Sequence, residues 1–161
     1  MKPNYPQRES FAHLPTPLDQ MERLSKHLNG PTLLIKRDDQ TGLATGGNKT
    51  RKLEFLVAEA LAQGCDYLVT TGAEQSNHCR QTAAAAARYG LGCSLVLRGT
   101  PPEQVTGNLL LESLLGAHLY WTEDVPVQEK ITAVVNELKT LGRKPYVIPL
   151  GGSNVVGATA Y

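Results

Sequence analysis

The sequence predicts an α/β protein in which a doubly wound, Rossmann-like parallel sheet carries helices on both faces. Strand-like and helix-like stretches alternate along most of the chain, at roughly 25 residues per strand-helix unit. The apolar fraction, 41% of 161 residues, is enough to fill one core. The helix-like stretches also end at glycines, which favour helix termination, at Gly64, Gly90, Gly116 and Gly142.

The N-terminal part of the chain differs from the rest because it is rich in proline. We expect such a segment to lie on another unit and not to form a core of its own. Apolar residues at helical spacing from Leu18 to Leu28 predict a short helix that starts at Pro17 and is capped by Gly30. Residues 32–37 predict a strand that leads into a polar loop.

The remaining residues supply the regular alternation. Strands are predicted at residues 67–71, 94–97, 118–121 and 146–150. The predicted helices contain residues 53–61, 83–87, 109–115 and 131–141. Because right-handed crossovers join parallel strands, ligands are expected where the strands end, at the carboxyl edge of the sheet.

Charge and composition argue against several classes of partner. The 16 Lys and Arg residues nearly balance the 15 Asp and Glu residues, with no long run of one sign, so neither nucleic acid nor a membrane surface is an expected partner. The N-terminus lacks the apolar stretch of a signal peptide, which predicts a cytoplasmic protein. Cys65, Cys79 and Cys93 lack the spacing of a disulfide framework or a metal site, so we expect free thiols and no metal.

Two junctions between a loop and a helix concentrate the polar residues. In the first, Gly46 and Gly47 come shortly before Lys49, at the start of a predicted helix. The helix dipole and the neighbouring Arg51 and Lys52 disfavour a protonated amine, which would make Lys49 nucleophilic towards a carbonyl and suit Schiff-base chemistry. A solvated basic turn is the simpler interpretation of the same residues.

The second junction, residues 70–78, connects a strand to the alanine-rich helix. Backbone N–H groups at such a helix start form an anion site, to which Ser76 and Asn77 add side-chain donors. The alternative is that Ser76 or Asn77 only caps the helix. His78 alone is more typical of a hydrogen-bonded surface group than of a catalyst. A further polar loop, residues 151–154, is compatible with either a ligand-facing loop or an ordinary turn.

Taken together, residues 46–56 (GGNKTRKLEFL) and 75–84 (QSNHCRQTAA) resemble the pyridoxal-phosphate enzymes of the D-cysteine desulfhydrase and 1-aminocyclopropane-1-carboxylate deaminase family. The resemblance includes residues 14–18, 35–39 and 145–153, and so covers almost the whole chain. It implies the two-domain, tryptophan-synthase-β-like fold and pyridoxal 5′-phosphate as the cofactor. It also implies a small amino acid as the substrate and a homodimer for the whole protein.

The resemblance also implies roles for individual residues. Lys49 would form the Schiff base with the cofactor and serve as the base for the substrate's α-proton. Asn77 would contact the 3′ oxygen of the cofactor, and Lys52, on the same helix face as Lys49, would approach its phosphate. Ser76, with the backbone N–H groups of Asn77 and His78, would hold the substrate carboxylate.

The residue that follows Ser76-Asn77 indicates the branch of the family. The deaminases carry Gln there, whereas His78 resembles the desulfhydrase branch, as do residues 151–153. The expected reaction is therefore α-deprotonation of D-cysteine and β-elimination of sulfide, giving pyruvate, ammonia and hydrogen sulfide. Deamination of 1-aminocyclopropane-1-carboxylate is the second enzymatic hypothesis.

Members of this family are roughly twice as long as this chain, which predicts a fragment that is inactive alone. By the resemblance, residues 1–45 belong to the larger cofactor domain, residues 46–150 form the smaller α/β domain with the Schiff-base lysine, and residues 151–161 cross back to the larger domain. We expect exposed apolar surface on the N-terminal segment. A third hypothesis, from another class, is a non-catalytic α/β module that binds an anion or a partner.

Overall fold

The N-terminal part of the protein folds into a small antiparallel ribbon with one helix. The computed structural model describes residues 5–161 of the chain. Strands β1 (Leu18–Gln20) and β2 (Leu34–Lys36) pair with each other, and helix α1 (Glu22–Leu28) lies between them in the chain. Two 3-10 turns then lead to the first long helix.

The helix predicted over residues 18–28 ends at Leu28 as expected, but its start and its C-terminal cap are wrong. Leu18 and Gln20 pair with β2, so the helix begins only at Glu22. At the other end Asn29, and not Gly30, takes the left-handed conformation, with a φ of 46°. Asparagine tolerates this conformation better than most residues. The error at the start arises because strand pairing is a tertiary contact, which helical periodicity does not reveal.

The rest of the chain alternates helices and strands as predicted, except that the strand predicted at residues 146–150 ends at Val147 and that residues 155–158 form an additional short helix. The helices are α2 (Lys49–Ala62), α3 (Asn77–Tyr89), α4 (Gly107–Leu114), α5 (Val127–Thr140) and α6 (Val155–Ala158). The strands are β3 (Tyr67–Gly72), β4 (Gly92–Leu97), β5 (His118–Trp121) and β6 (Pro145–Val147). All four pair in parallel, in the order β5-β4-β3-β6.

This strand order fixes where a ligand crevice can form. The chain adds β4 and β5 on one side of β3 and then places β6 on the other side, so the winding direction reverses between β3 and β6. In doubly wound sheets ligands bind at the carboxyl ends of the strands that flank such a reversal. The predicted fold class is confirmed, and the crevice is expected where β3 leads into α3 and β6 leads into its following loop.

The core lies on both faces of the sheet. Adjacent residues of β3 point to opposite faces, so that Leu68 packs in one cluster and Val69 in the other. Residues of α2, α3 and α4 pack in the larger cluster, and the small alanine side chains of α3 allow that helix to lie close to the sheet. The smaller cluster is covered by the apolar face of α5, with Ile131, Val134 and Leu138.

The segment before the ribbon packs on α2. The backbone N–H groups of Phe11 and Ala12 each donate to Glu54 Oε1, at 2.8 Å, and the Phe11 ring lies in the larger core cluster. Its ring meets that of Tyr89 edge to face, with centroids 5.7 Å apart. These contacts join residues on both sides of the predicted boundary at residue 45. The division into residues 1–45, 46–150 and 151–161 stays a prediction, and residues 1–4 lie outside the described part.

Apolar side chains are exposed on the ribbon and α1, as expected, at Leu18, Leu24, Leu28, Leu34 and Ile35. The three cysteines are free thiols, as predicted. Between residues 5 and 161 no helix is long and apolar enough to cross a membrane.

Candidate active site

Three polar segments meet at the carboxyl edge of the sheet, near the reversal between β3 and β6. These are the start of α2 at Lys49, the start of α3 at Asn77, and the turn Leu150–Gly152 after β6. The Asn77 side chain donates to Asn48 Oδ1 at 3.2 Å, which links the two helix starts. A Cβ on Gly151 would lie 3.5 Å from Lys49 Cε, so the turn borders the lysine side chain.

The loop before α2 requires its glycines. Gly46 and Gly47 have φ values of +78° and +136°. A Cβ on Gly46 would lie 2.0 Å from the carbonyl oxygen of Asp39, and one on Gly47 would lie 2.3 Å from Gln81 Nε2. The Thr41 hydroxyl donates to the Gly47 carbonyl and accepts from the Gly47 N–H, at 2.7 and 2.9 Å. Lys49 therefore starts its helix from a tightly held loop.

The Lys49 amine is half-buried and has no hydrogen bond or ion pair within residues 5–161. Burial, followed by the charge of Lys52, lowers the pKa of this amine, so more of it is unprotonated at a given pH. The direction agrees with the prediction, but Arg51 plays a different part. Its guanidinium pairs with the Asp38 carboxylate through two hydrogen bonds of 2.7 and 2.8 Å.

Lys52 lies on the same face of α2 as Lys49 and contacts the loop after β6. Its Nζ donates to Ser153 Oγ at 2.9 Å and to the Gly151 carbonyl at 3.3 Å. A Cβ on Gly152 would lie 3.5 Å from Lys52 Cβ, so the loop runs along this side chain. Its approach to a cofactor phosphate stays a prediction.

Ser76 caps α3, and the cap leaves part of the anion site open. Its Oγ accepts from the Cys79 N–H at 3.2 Å, which is the capping interaction considered above. The N–H groups of Asn77 and His78 have no acceptor in the described part of the chain. Because the Ser76 hydroxyl uses its oxygen for the cap, its hydrogen remains available to an anion. Ser76 can therefore both cap α3 and contribute to an anion site.

His78 is buried, with 2% of its surface exposed, so the expectation of a surface histidine is wrong. Its Nε2 lies 2.9 Å from the Thr70 hydroxyl, which itself donates to the Ile148 carbonyl at 2.8 Å. Since that hydroxyl has one hydrogen, it accepts from His78, and Nε2 carries the proton. Burial, and then the charges of Lys49 and Lys52, lower the pKa of His78 to about 4. The ring is neutral, and its buried Nδ1 has no partner among residues 5–161.

An open depression of about 630 Å³ lies beside the start of α3, and of the predicted site residues only Asn77 lines it. Its walls are Gly47, Asn48 and Asn77 on one side and residues 35–39 on the other. The Asn77 carboxamide is thus accessible from the depression. The arrangement combines an unpaired amine of lowered pKa with free N–H donors at a helix start, which suits a ligand that carries both a carbonyl and an anionic group.

Comparison with known proteins agrees with this chemistry. The family model described as pyridoxal-phosphate dependent enzyme matches residues 9–161. The chain belongs to this family. A D-cysteine desulfhydrase of Klebsiella pneumoniae (strain 342) is 48% identical to this chain over 153 residues. The match covers 91% of this chain and 46% of that protein. A D-cysteine desulfhydrase of Salmonella typhimurium is 46% identical over 160 residues, covering 96% of the chain and 48% of that protein.

A solved structure shows the same fold at similar coverage. The crystal structure of an ACC deaminase homologue matches with a TM-score of 0.88 and 40% identity, over 98% of this chain and 48% of the other. The predicted family, its fold and its cofactor are therefore confirmed. This chain spans about half the length of the curated relatives it matches.

The residues present fit pyridoxal phosphate. The unpaired amine of Lys49 suits the aldehyde of the cofactor, and the free N–H donors at the start of α3 suit an anionic group. The Asn77 carboxamide and the unpartnered Nδ1 of His78 are further polar groups without full hydrogen bonding in the described chain. Within residues 5–161 no group of His, Cys, Asp or Glu is arranged to hold a metal ion.

Three residues that build this site were not predicted as site residues from the sequence. Thr70 orients His78, Arg80 donates to the Gly46 carbonyl at 2.5 Å, and Gln81 joins the two helix starts. Helical spacing places Gln81 on the same face of α3 as Asn77, four residues away, and this was the available signal. The partners that Arg80 and Gln81 find around the start of α2, Gly46 and Thr50, lie 34 and 31 residues away in the sequence, so only the fold shows them.

Proposed function

We propose that the whole protein is a D-cysteine desulfhydrase that converts D-cysteine and water to pyruvate, ammonia and hydrogen sulfide. The observation that carries the proposal is the unpaired amine of Lys49, with its lowered pKa, close to a helix start whose N–H groups are free. The desulfhydrases named above support the choice of substrate, as does His78 after Ser76-Asn77.

In this function the cofactor, when bound, takes up the electron pair left on the α-carbon of the substrate. Lys49 would hold the cofactor through its aldehyde carbon, Asn77 would bind the 3′ oxygen, and Lys52 would face the phosphate. The substrate carboxylate is received by the free N–H groups of Asn77 and His78 and by the Ser76 hydroxyl.

Lys49 also moves the proton. Its amine accepts the α-proton of D-cysteine, and the bond between Cβ and sulfur then breaks with release of sulfide. The lowered pKa serves this step, because a protonated amine cannot accept a proton. His78 stays neutral near the two lysines, so it adds no charge and donates through Nε2 to Thr70.

The activity is tested on the full-length protein purified from its native host. Peptides that match this sequence identify the protein in the purified sample. With D-cysteine and pyridoxal phosphate we expect pyruvate and sulfide in equal amounts, and little product from L-cysteine. Borohydride reduction should trap the cofactor on Lys49, and Lys49→Ala should abolish both trapping and turnover. Lys26→Ala, on the exposed face of α1, is the matched control.

The alternatives give different results in the same assays. Production of 2-oxobutyrate from 1-aminocyclopropane-1-carboxylate, without sulfide from D-cysteine, would identify a deaminase. In that case replacement of His78 by Gln should increase deamination further. No product from either substrate with a fully loaded cofactor would refute the enzymatic proposal and favour a non-catalytic module.

For the whole protein we also propose a cytoplasmic homodimer with the three-part division given above. The three free thiols support a reducing compartment. The 161 residues alone are proposed to be inactive, because precise sites depend on the residues that support them. Sedimentation of the native protein tests the dimer, and turnover by the 161-residue chain would contradict the proposed inactivity.

A further inference from the structure

Gln81 is a fully buried polar residue that joins the helix of Lys49 to the helix of Asn77. Its Oε1 accepts from the backbone N–H of Thr50 at 2.7 Å and from the Thr50 hydroxyl at 2.8 Å. Its Nε2 donates to the carbonyl oxygen of Asn77 at 2.9 Å. Both Gln81 and Thr50 are completely inaccessible to solvent. One side chain therefore spans the two helix starts.

The start of α2 has no side-chain cap of its own. The residue before it, Asn48, has helical backbone angles and makes no capping hydrogen bond. The first N–H groups of a helix lack partners within the helix and need an acceptor from elsewhere. Gln81 supplies that acceptor at Thr50, the residue directly after Lys49. A side chain of α3 thus caps the start of α2.

The surroundings of Gln81 are arranged around this contact. A Cβ on Gly47 would lie 2.3 Å from Gln81 Nε2, so glycine is needed where the loop passes the amide. The Thr41 hydroxyl lies 3.1 Å from that of Thr50 and also binds Gly47. Next to Gln81, Arg80 donates to the Gly46 carbonyl. The loop before Lys49 is consequently held from α3 at two positions.

We propose that Gln81 is a positioning residue that fixes Lys49 and Asn77 relative to each other across the site. The roles of these two residues rest on the proposed function, but the contact itself does not. A carboxamide suits the position because it offers an acceptor to Thr50 and a donor to Asn77 at the same time. An apolar side chain of equal length offers neither, and leaves the buried Thr50 N–H only its longer bond of 3.3 Å to the Gly47 carbonyl.

Two measurements on the 161-residue chain, without cofactor or substrate, test the proposal. The first is amide hydrogen exchange at Thr50, and the second is the titration of the Lys49 amine by NMR. In Gln81→Met we expect exchange at Thr50 to become faster by about tenfold or more. The pKa of Lys49 should rise, because the loosened first turn of α2 admits water to the amine.

Thr82→Val is the matched control. Thr82 is the next residue of α3, is equally buried, and donates to the His78 carbonyl at 2.9 Å, with no hydrogen bond to α2 in residues 5–161. It should leave both the exchange at residue 50 and the Lys49 titration unchanged. Pyridoxal phosphate then serves as a probe of the amine, and its rate of attachment to Lys49 should fall in Gln81→Met but not in the control.

Thr50→Val is a milder second variant, which keeps the backbone N–H bond to Gln81 and removes the hydroxyl with its bonds to Gln81 and Thr41. If Gln81→Met does not fold, a smaller change in the same direction in Thr50→Val supports the proposal. Unchanged exchange and an unchanged Lys49 titration in the folded variants would overturn it, as would equal changes in Thr82→Val. Since neither main measurement involves substrate, loss of the desulfhydrase proposal would leave this result intact.

Discussion

Glu112 gives the protein a predicted loss of stability as the pH rises. This residue of α4 is fully buried, and neither of its carboxyl oxygens has a hydrogen-bond partner in residues 5–161. Burial raises the pKa of Glu112 from its ordinary value of 4.5 to about 8, although the charge of Arg80 acts in the opposite direction. Between these values the folded chain binds more protons than the unfolded chain, so the free energy of unfolding falls with increasing pH.

The magnitude follows from the size of this change. Each pKa unit corresponds to about 1.4 kcal/mol, so ionised Glu112 costs the folded state on the order of 5 kcal/mol. Glu112→Gln removes the titration and keeps the same number of buried polar atoms. We expect the variant and the wild type to be similarly stable below pH 4.5, with the variant gaining several kcal/mol as the pH rises from 4.5 to about 8.

Urea unfolding followed by the fluorescence of Trp121, the single tryptophan, measures this difference. Glu103→Gln, an exposed glutamate, is the control and should show no such gain. A wild type that is already unfolded at high pH while Glu112→Gln remains folded would agree with the reasoning. Parallel stability curves for wild type and Glu112→Gln across the whole pH range would refute it.

Three further predictions concern single contacts. Ser76→Ala removes the cap of α3 and should cost about 1 kcal/mol in urea unfolding. Asp38→Asn breaks the pair with Arg51 and should cost about 2 kcal/mol near neutral pH. Because Arg51 lowers the pKa of Asp38, this difference should shrink only as the pH falls below about 4, where the carboxyl binds a proton in the unfolded chain while it is still ionised in the folded chain. Gly92→Ala would place a Cβ 2.1 Å from the Tyr67 ring and should lower the free energy of unfolding by about 2 kcal/mol.

The sequence predicted the α/β unit well because its signals are local. The helix with the alanine run ends at Gly90, whose positive φ of 67° matches the expected left-handed cap. The strand predicted at residues 67–71 is a buried central strand of the sheet. The prediction for residues 18–20 was wrong for the opposite reason, since only their pairing with β2 makes them a strand.

In the candidate site, too, some residues could be recognised from local sequence patterns and others only from the fold. Lys49 and Ser76 could be recognised from helix starts, which are short and local patterns. The burial of His78 could not, because it depends on Thr70 and on the carbonyl of Ile148, which a different strand brings into place. Gln81 likewise gains its meaning from Thr50, 31 residues away. Residue types thus reveal the chemistry, and the fold determines which groups remain free to perform it.

The ion pairs around the site show how the fold determines which charged groups remain unpaired. The carboxylates that border the depression are both occupied, Asp38 by Arg51 and Asp39 by Arg37. Lys49 and Lys52, in contrast, have no carboxylate partner within the described chain. With a neutral His78 and the free N–H groups of α3, the groups left unpaired here are the positive ones. The net charge of +1 gives no sign of this, because the attraction for an anion comes from how the charges are paired and not from their number.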